Sequence, residues 1–388
     1  MIESKGFYRR IEQAFTGAGR ARTREGFAHR LAPRLFELLG GPLALAAVHL
    51  YDRRGAAFAP ARRWGEERPD LHAELAARFA DAGEAGIHEL PWVGDTAAGA
   101  TGLFAVGGSD GPLLALLPAA GEAHAAPSRA ELLSALNSLV YAVRQRLERR
   151  QLEDVFEQAR AIQLSLLPEG RQVFEGFDVF AVSMPAESVG GDLYDYFRVD
   201  AETLGFAVAD ASGHGLPAAL QARDVATGLR MGVEGDLKIT RLVEKLNRVI
   251  HRSGLASRFV SLVFGELERN GNLAYVNAGH PPPLLLDGRG VRELSVGGMI
   301  LGPDPEARYK LGFTHVDRGA SLAVYSDGVL ECGTGRGEPF GLERLREWLA
   351  AWALGPSEDA IADLLRRLAA HGGGASEDDV TVMLLRRT

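Results

Sequence analysis

Apolar and polar residues along the first third of the chain follow helical spacing in one stretch and strand-like runs in the next. A helical pattern occupies Thr23–Leu39 and ends at Gly40-Gly41-Pro42, a strong helix stop. A second helix is predicted over residues 70–82. Strands are predicted over Leu43–Tyr51, Ala57–Trp64, Thr101–Val106 and Pro112–Pro118. This order of elements predicts an α+β domain with one antiparallel sheet over residues 1–127.

A long connecting helix is predicted over residues 128–167. Ser128 and Glu131 match a capping box at its start, and Pro168 ends it. Apolar residues recur three and four apart, with one interruption after Leu147, at Leu132, Leu136, Leu139, Val143, Leu147, Leu152, Val155, Ala159, Ile162 and Leu166. This spacing is typical of a coiled-coil seam. Two hypotheses stay open: the helix packs on its own domains, or it forms a parallel homodimer that passes a signal along the chain.

Residues 168–388 are predicted to form a second domain of strands in hairpin-like pairs, separated by blocks of helix. This arrangement favours antiparallel sheets covered by helices over a wound βαβ sheet. Helices are predicted over Leu216–Met231, Lys238–Arg252, Leu342–Ala353 and Ser357–Ala370. Strands are predicted over Phe177–Val182, Leu204–Val208, Val260–Leu267, Leu273–Val276, Pro283–Leu286, Ser321–Tyr325 and Val380–Leu385.

Composition narrows the class of protein. Of the 388 residues, 46% are hydrophobic and 24% charged, the balance of an ordinary globular protein, and the formal net charge of -8 favours neither nucleic acid nor an anionic membrane as a partner. The single cysteine, Cys332, excludes an internal disulfide framework. No apolar run approaches the roughly 20 residues of a membrane-spanning helix, and the first residues lack the apolar core of a signal peptide. We therefore expect a cytoplasmic protein.

Four aspartates point to the chemistry. Asp192, Asp210, Asp327 and Asp378 each lie in a glycine-rich or polar turn beside a short apolar run. Carboxylate oxygens brought together by folding are the ligands that hard divalent cations prefer. A pair of such cations can activate water and offset charge on a phosphoryl group. The pattern therefore predicts metal-assisted hydrolysis of a phosphate ester.

Six strings of the second domain occur together in one order and carry a resemblance over residues 163–388. They are Gln163-Leu-Ser-Leu-Leu-Pro168, Pro185-Ala-Glu-Ser-Val-Gly-Gly-Asp192, Asp210-Ala-Ser-Gly-His-Gly215, Asn277-Ala-Gly-His-Pro-Pro-Pro283, Tyr325-Ser-Asp-Gly328 and Glu377-Asp-Asp-Val-Thr381. This region resembles the bacterial partner-switching phosphatases of the PP2C (PPM) superfamily, the SpoIIE/RsbU type. The resemblance implies an αββα sandwich with two Mn²⁺ or Mg²⁺ ions. It also implies dephosphorylation of phosphoserine or phosphothreonine on a protein, most often an anti-anti-sigma factor of the STAS type.

The resemblance also assigns roles to the acids. Asp210 matches the aspartate that bridges both ions, with the Ala211 carbonyl as a further ligand. Asp327 and Asp378 match the carboxylates that complete the second metal site. Asp192 matches the acid of the first motif, which holds the other ion directly or through water.

Several neighbours of these acids are auxiliary candidates. Asp379 stands where eukaryotic relatives commonly carry asparagine, and ranks below Asp378 as a ligand. Gly191 and Gly328 are expected to permit the turns that aim the acids. His214 is expected to order its glycine loop, with protonation of the leaving group as the alternative.

The first domain resembles GAF-type sensory domains over about residues 20–128, in the order of its elements and its place before a helix. This resemblance implies regulation of the phosphatase domain by a sensor, and helix Leu216–Met231 is the element expected to move. Two competing hypotheses stay open: an inactive scaffold that binds a partner, and a phosphohydrolase acting on small molecules. The lack of a P-loop counts against a nucleotide substrate.

Overall fold

The computed structural model divides the chain into two compact units, Met1–Glu153 and Asp154–Thr388, which are described separately. No helix among the described residues has both the length and the apolar character needed to cross a membrane. The structure describes residues 4–18, 23–54, 57–68, 70–75, 77, 91–96, 99–106, 111–119, 128–165, 167–168, 171–187, 189–213, 215–235, 237–253, 259–373 and 378–388.

The first unit contains one antiparallel sheet, as the sequence predicts, but the sheet has five strands, and the edge strand Trp92–Thr96 is not among the four predicted ones. Its strand order is β2-β1-β5-β4-β3. Helices α1 and α2 pack on one face, where Phe27, Leu31 and Leu35 are fully buried. Residues 70–75 are helical, while most of the rest of the helix predicted over 70–82 lies outside the described residues. The bounds are α1 Ser4–Ala18, α2 Arg24–Leu39, β1 Leu45–Arg54, β2 Ala57–Gly65, β3 Trp92–Thr96, β4 Gly99–Ala105 and β5 Leu113–Pro118.

The connecting helix α3 spans Arg129–Leu164, and its predicted capping box forms, with the Glu131 amide 3.2 Å from Ser128 Oγ. Its two halves differ in environment. The first four seam residues are buried in the core of the first unit: Leu132, Leu136, Leu139 and Val143. The later seam residues Leu152, Val155 and Ile162 are more than half exposed. The packing hypothesis therefore holds for the first half, and only the second half offers a seam.

The second unit is the predicted αββα sandwich. One six-stranded sheet has the order β14-β11-β10-β9-β8 with β15 beside β11, and the other has the order β13-β12-β16-β17-β7-β6. Alternate side chains of strand β9 show why both faces are apolar. Phe206 and Val208 pack between the sheets, whereas Ala207 and Ala209 pack under helices α4 and α5. Helices α7 and α8 cover the other sheet around Trp348.

The helices of this unit are α4 Leu216–Glu234, α5 Ile239–Arg252, α6 Asp327–Glu331, α7 Gly341–Ala351 and α8 Ser357–Gly372. The strands are β6 Gln172–Phe174, β7 Phe177–Met184, β8 Asp192–Arg198, β9 Thr203–Ala211, β10 Val260–Glu268, β11 Asn272–Ala278, β12 Leu284–Asp287, β13 Gly290–Glu293, β14 Gly297–Gly298, β15 Gly312–His315, β16 Ser321–Tyr325 and β17 Val380–Arg387. Strand β8 and helix α6 are absent from the sequence-based prediction, and both begin at a candidate aspartate.

Candidate functional site

Asp192 and Asp210 lie directly opposite each other on neighbouring antiparallel strands. Asp192 opens β8, Asp210 stands near the end of β9, and the two are register partners. Directly opposed residues of an antiparallel pair point to the same face, with Cβ atoms about 5 Å apart. Two like charges in this position repel each other, so the hairpin by itself builds an unfavourable electrostatic pair.

Asp327 and Asp378 come from the other sheet. Asp327 is the first residue of α6, separated from the end of β16 by Ser326 alone, and Asp378 lies two residues before the start of β17. Strands β16 and β17 are antiparallel partners, so the end of one meets the start of the other. Ser326 joins these segments: its amide donates to the Thr381 carbonyl at 3.0 Å, and its hydroxyl donates to the Asp379 carbonyl at 3.1 Å.

The acids of the two sheets lie close enough to raise one another's pKa values. Burial, together with the charges of Asp327, Asp378 and Asp379, raises the pKa of Asp210 to about 7. Burial and the nearby Asp378 raise the pKa of Asp327 above its usual value. Burial and Asp210 raise the pKa of Asp192 well above its usual value, although the Thr381 and Ser326 hydroxyls oppose this. Four predicted ligands are thus brought to one edge of the sandwich.

The donor set suits a hard divalent cation. Asp192 is only 3% exposed, and its Oδ2 atom has no hydrogen-bond partner among the described residues. A cation would contact the carboxylate oxygen that has no hydrogen-bond partner. It would also lower the raised pKa values of the acids, because it supplies the missing counter-charge. Within the described part of the chain, no three His, Cys, Asp or Glu side chains already stand as a closed cage for a metal ion. The four acids therefore lie near one another, but their side chains do not surround a single metal-ion position.

Asp379 organises the loop that leads into β8. Its Oδ1 accepts the Ala186 amide at 2.8 Å, and its Oδ2 accepts the Gly191 amide at 2.6 Å. A Cβ atom added at Gly190 would lie 2.1 Å from Asp379 Oδ2, so only glycine allows this approach. Asp379 therefore acts on Asp192 through the backbone, a role that the sequence did not predict.

Gln163, near the end of α3, holds the same loop from the other side. Its Nε2 donates to the Gly190 carbonyl at 2.6 Å, and its Oε1 accepts the Gly190 amide at 3.0 Å. One side-chain amide thus satisfies both backbone groups of a buried residue. Gln163 belongs to the first of the six motifs, but the sequence predicts no role for it, because no local pattern indicates that Gly190, 27 residues later, is its partner.

Asp195, on β8, is tied to helix α4. Arg230 Nε donates to its Oδ2 at 2.7 Å, and Asp195 is almost fully buried. Burial raises the pKa of Asp195, and the Arg230 guanidinium limits the rise. The pair fixes α4 on the strand that begins with Asp192.

Asn277 and His280 form a hydrogen-bonded turn that Ser261 Oγ joins at 2.6 Å from His280 Nδ1. Asn277 Oδ1 accepts the His280 amide at 2.8 Å, and Asn277 Nδ2 donates to the His280 carbonyl at 3.0 Å. Burial lowers the pKa of His280 to about 3, so its ring stays neutral at physiological pH. These contacts agree with a structural role for both residues.

The auxiliary glycines lie where a side chain would not fit. A Cβ atom at Gly191 would lie 2.4 Å from the Ala211 carbonyl oxygen, the predicted backbone ligand. A Cβ atom at Gly328 would lie 2.1 Å from the Asp379 carbonyl oxygen. His214 lies outside the described residues.

Comparisons with known proteins show what the second unit is similar to. Residues 200–388 match the family model of stage II sporulation protein E (SpoIIE). Phosphoserine phosphatase RsbU of Bacillus subtilis is 27% identical over 243 residues, which cover 61% of this chain and 71% of that protein. Protein IcfG of Synechocystis sp. is 29% identical over 262 residues, which cover 60% of this chain and 41% of that protein. The chain therefore spans less than half of the second relative.

A solved structure shows the same fold. The SiaA-PP2C domain of Pseudomonas aeruginosa superposes with a TM-score of 0.54 at 23% sequence identity. The match covers 62% of this chain and 98% of that domain. The second unit therefore has the PP2C fold.

Proposed function

Since the carboxy-terminal unit is a SpoIIE-type phosphatase domain with the PP2C fold, we propose that the protein is a metal-dependent serine/threonine phosphatase. Its substrate would be a phosphoserine or phosphothreonine protein, and its cofactors two Mn²⁺ or Mg²⁺ ions. The observation that carries this proposal is the convergence of Asp192, Asp210, Asp327 and Asp378 at one edge of the sandwich.

Each acid has a distinct part in the proposed site. Asp210, with the Ala211 carbonyl, would hold both ions, Asp192 would hold one, and Asp327 and Asp378 would hold the other. When bound, such ions lower the pKa of a coordinated water and offset charge on phosphoryl oxygens. The protein's own contribution is orientation, because Asp379 and Gln163 fix the backbone that carries Asp192.

The proposed substrate is a small anti-anti-sigma protein of the STAS type in a partner-switching pathway. RsbU and phosphoserine phosphatase RsbP of Bacillus subtilis, which is 26% identical over 181 residues, support a phosphoserine substrate. The STAS-type identity of that substrate rests on the resemblance of the six motifs. The amino-terminal unit is proposed to act as a GAF-like sensor that regulates turnover.

Phosphate release from a phosphorylated STAS-type protein, measured with and without Mn²⁺, tests the activity. We expect release only with the metal, and a loss of at least a hundredfold in Asp210→Asn. Asp317→Asn, which removes an exposed acid before β16, at the end of that strand opposite to Asp327, is the matched control and should retain full activity. Release from nucleotides but not from the phosphoprotein would favour a small-molecule phosphohydrolase. A biological effect that survives Asp210→Asn would favour a scaffold.

Dimerisation and regulation are proposed from the second half of α3. Leu152, Val155 and Ile162 keep seam spacing while exposed, and a second copy of the same helix is the occupant that this repeat suits. Removal of residues 1–127 is expected to change turnover per catalytic domain. Equal turnover with and without these residues would contradict the regulatory part alone.

A further inference from the structure

Phe259 is an exposed aromatic residue at the edge of the second unit that carries the acids. It comes directly before β10, and it is 42% exposed. Single exposed apolar residues are common on protein surfaces, so this exposure alone carries no meaning. The position of Phe259 relative to Asp210 does, because the pairing of β9 with β10 fixes it.

The pairing of β9 with β10 continues as far as Phe259. Val260 and Ala211 are register partners, and beyond them the Ser212 amide donates to the Phe259 carbonyl at 2.9 Å. The Phe259 amide in turn donates to Ser212 Oγ at 3.0 Å. Both bonds use the backbone of Phe259, so they remain when its side chain is replaced. The backbone is therefore fixed, while the ring is partly open to solvent.

Phe259 and Asp210 share a face of this sheet. Val260 and Ala211 pack under α4 and α5, so the residues on either side of them face the space between the two sheets. Asp210 is the register partner of Ser261. Phe259 stands two residues before Ser261, which makes it the diagonal neighbour of Asp210, about 7–8 Å away.

This distance suits a contact with the substrate chain. A phosphoryl group held at the acids is joined through one ester oxygen to the serine or threonine that carries it. The next residue of the substrate lies only about 3.8 Å further along its chain, so its side chain comes within reach of the Phe259 ring. An aromatic ring at that place can bury a large apolar area against such a side chain.

We propose that Phe259 is a specificity-determining residue of the phosphatase site, and that its ring contacts an apolar side chain directly beside the phosphorylated residue of the protein substrate. The inference rests on the proposed function, since it takes the phosphoryl group to bind at the acids. It assigns a class to the substrate, namely phosphorylated segments in which an apolar residue adjoins the phosphoserine or phosphothreonine.

Phe313 offers a matched control on the same sheet. It is 74% exposed and lies on β15, opposite Ala274. Ala274 pairs with Glu266 of β10, which is five residues beyond Ser261, or about 17 Å along the strand. Ala274 packs on the helix-covered side of the sheet, so its partner Phe313 lies on the face opposite to Phe259.

Two synthetic phosphopeptides test the contact, with the full chain and Mn²⁺. Both carry phosphoserine, which is flanked on each side by leucine in one peptide and by alanine in the other. We expect the unmodified protein to prefer the leucine peptide about tenfold in kcat/KM, and Phe259→Ala to lower this ratio to about one. Phe259→Leu keeps an apolar side chain and should retain a ratio of about three. Phe313→Ala should retain the ratio of the unmodified protein.

The ratio separates recognition from a structural effect. A change that only loosened the acid site would lower kcat/KM for both peptides equally and leave the ratio as it was. No preference in the unmodified protein, or an undiminished preference in Phe259→Ala, would overturn this inference alone. Release from a phosphorylated STAS-type protein but from neither peptide would also overturn it, because recognition would then rest elsewhere. No Mn²⁺-dependent release from any of these substrates, nor from free O-phosphoserine, would overturn the proposed function as well.

Discussion

Replacement of Gln163 by alanine gives the sharpest test of how the loop before Asp192 is held. The substitution removes the donor and the acceptor that bond the Gly190 carbonyl and amide at 2.6 and 3.0 Å. Gly190 is buried, so both backbone groups would lose their partners in a place that water reaches poorly. The loop should then sample orientations in which Asp192 no longer faces the other acids.

The size of the effect follows from the two lost bonds. An unsatisfied buried polar group costs about 1–3 kcal/mol, and partial access of water brings the sum for both groups to about 2 kcal/mol. If the loop must be restored before an ion binds, this cost raises the Mn²⁺ concentration for half-maximal activity about thirtyfold. Turnover at saturating Mn²⁺ should change less than threefold, since the restored site is the same.

The assay is phosphate release as a function of Mn²⁺ concentration, with urea unfolding measured in parallel. Gln163→Glu keeps the acceptor but places a charged oxygen against the Gly190 carbonyl, so it should be no better than alanine. Gln158→Ala is the matched control, because Gln158 is exposed on the same helix. Equal Mn²⁺ dependence in Gln163→Ala and Gln158→Ala would refute the reasoning.

Three further predictions follow from the site and the helix. Without metal, Asp210 should destabilise the protein as pH rises from about 4 to 7: its pKa is raised from 3.8 to about 7, so the stability present below the lower value is lost through the higher one. The loss in the free energy of unfolding is at most about 4 kcal/mol. Urea unfolding in EDTA should therefore show a weaker dependence of this free energy on pH for Asp210→Asn than for the unmodified protein. An unchanged pH dependence would contradict the raised pKa of Asp210. Gly328→Ala should lower stability by at least 2 kcal/mol because its Cβ would meet the Asp379 carbonyl, whereas Gly288→Ala, with no atom within 4 Å, should be nearly neutral in the same unfolding assay. Leu152→Asp places a charge on the proposed dimer seam and should convert a dimer into monomers in sedimentation velocity. An unmodified protein that is already monomeric would rule out dimerisation through the second half of α3.

The sequence singled out the four acids that the fold brings near one another, because each stands at a recognisable turn beside an apolar run. It did not predict strand β8, since Asp192 and Asp195 interrupt the apolar pattern. Asp195 is buried only because Arg230, 35 residues later, supplies its partner. Helix α6 was not predicted for a different reason, because its five residues are too few to show a helical repeat of apolar positions.

The connecting helix shows the limit of periodicity. The spacing of three and four runs from Leu132 to Leu147 and resumes from Leu152 to Ile162, yet the structure buries the first of these stretches in the first unit and exposes the second. Spacing tells which residues share a face, but not what covers that face. Gln163 shows a related limit, since a partner 27 residues away leaves no trace in local pattern.

The direct pairing of Asp192 with Asp210 has a consequence for how ions enter the site. A proton is the simplest counter-ion for two opposed carboxylates, and the raised pKa of Asp210 means that it holds one over much of the acidic range. A cation that binds at the proposed site would have to displace that proton, so metal uptake and acid release would be one exchange reaction. Below pH 7, each unit of acidification should weaken metal uptake about tenfold for every proton displaced. If the proposed ions bind there, the hairpin would make cation occupancy follow the acidity of the surrounding solution.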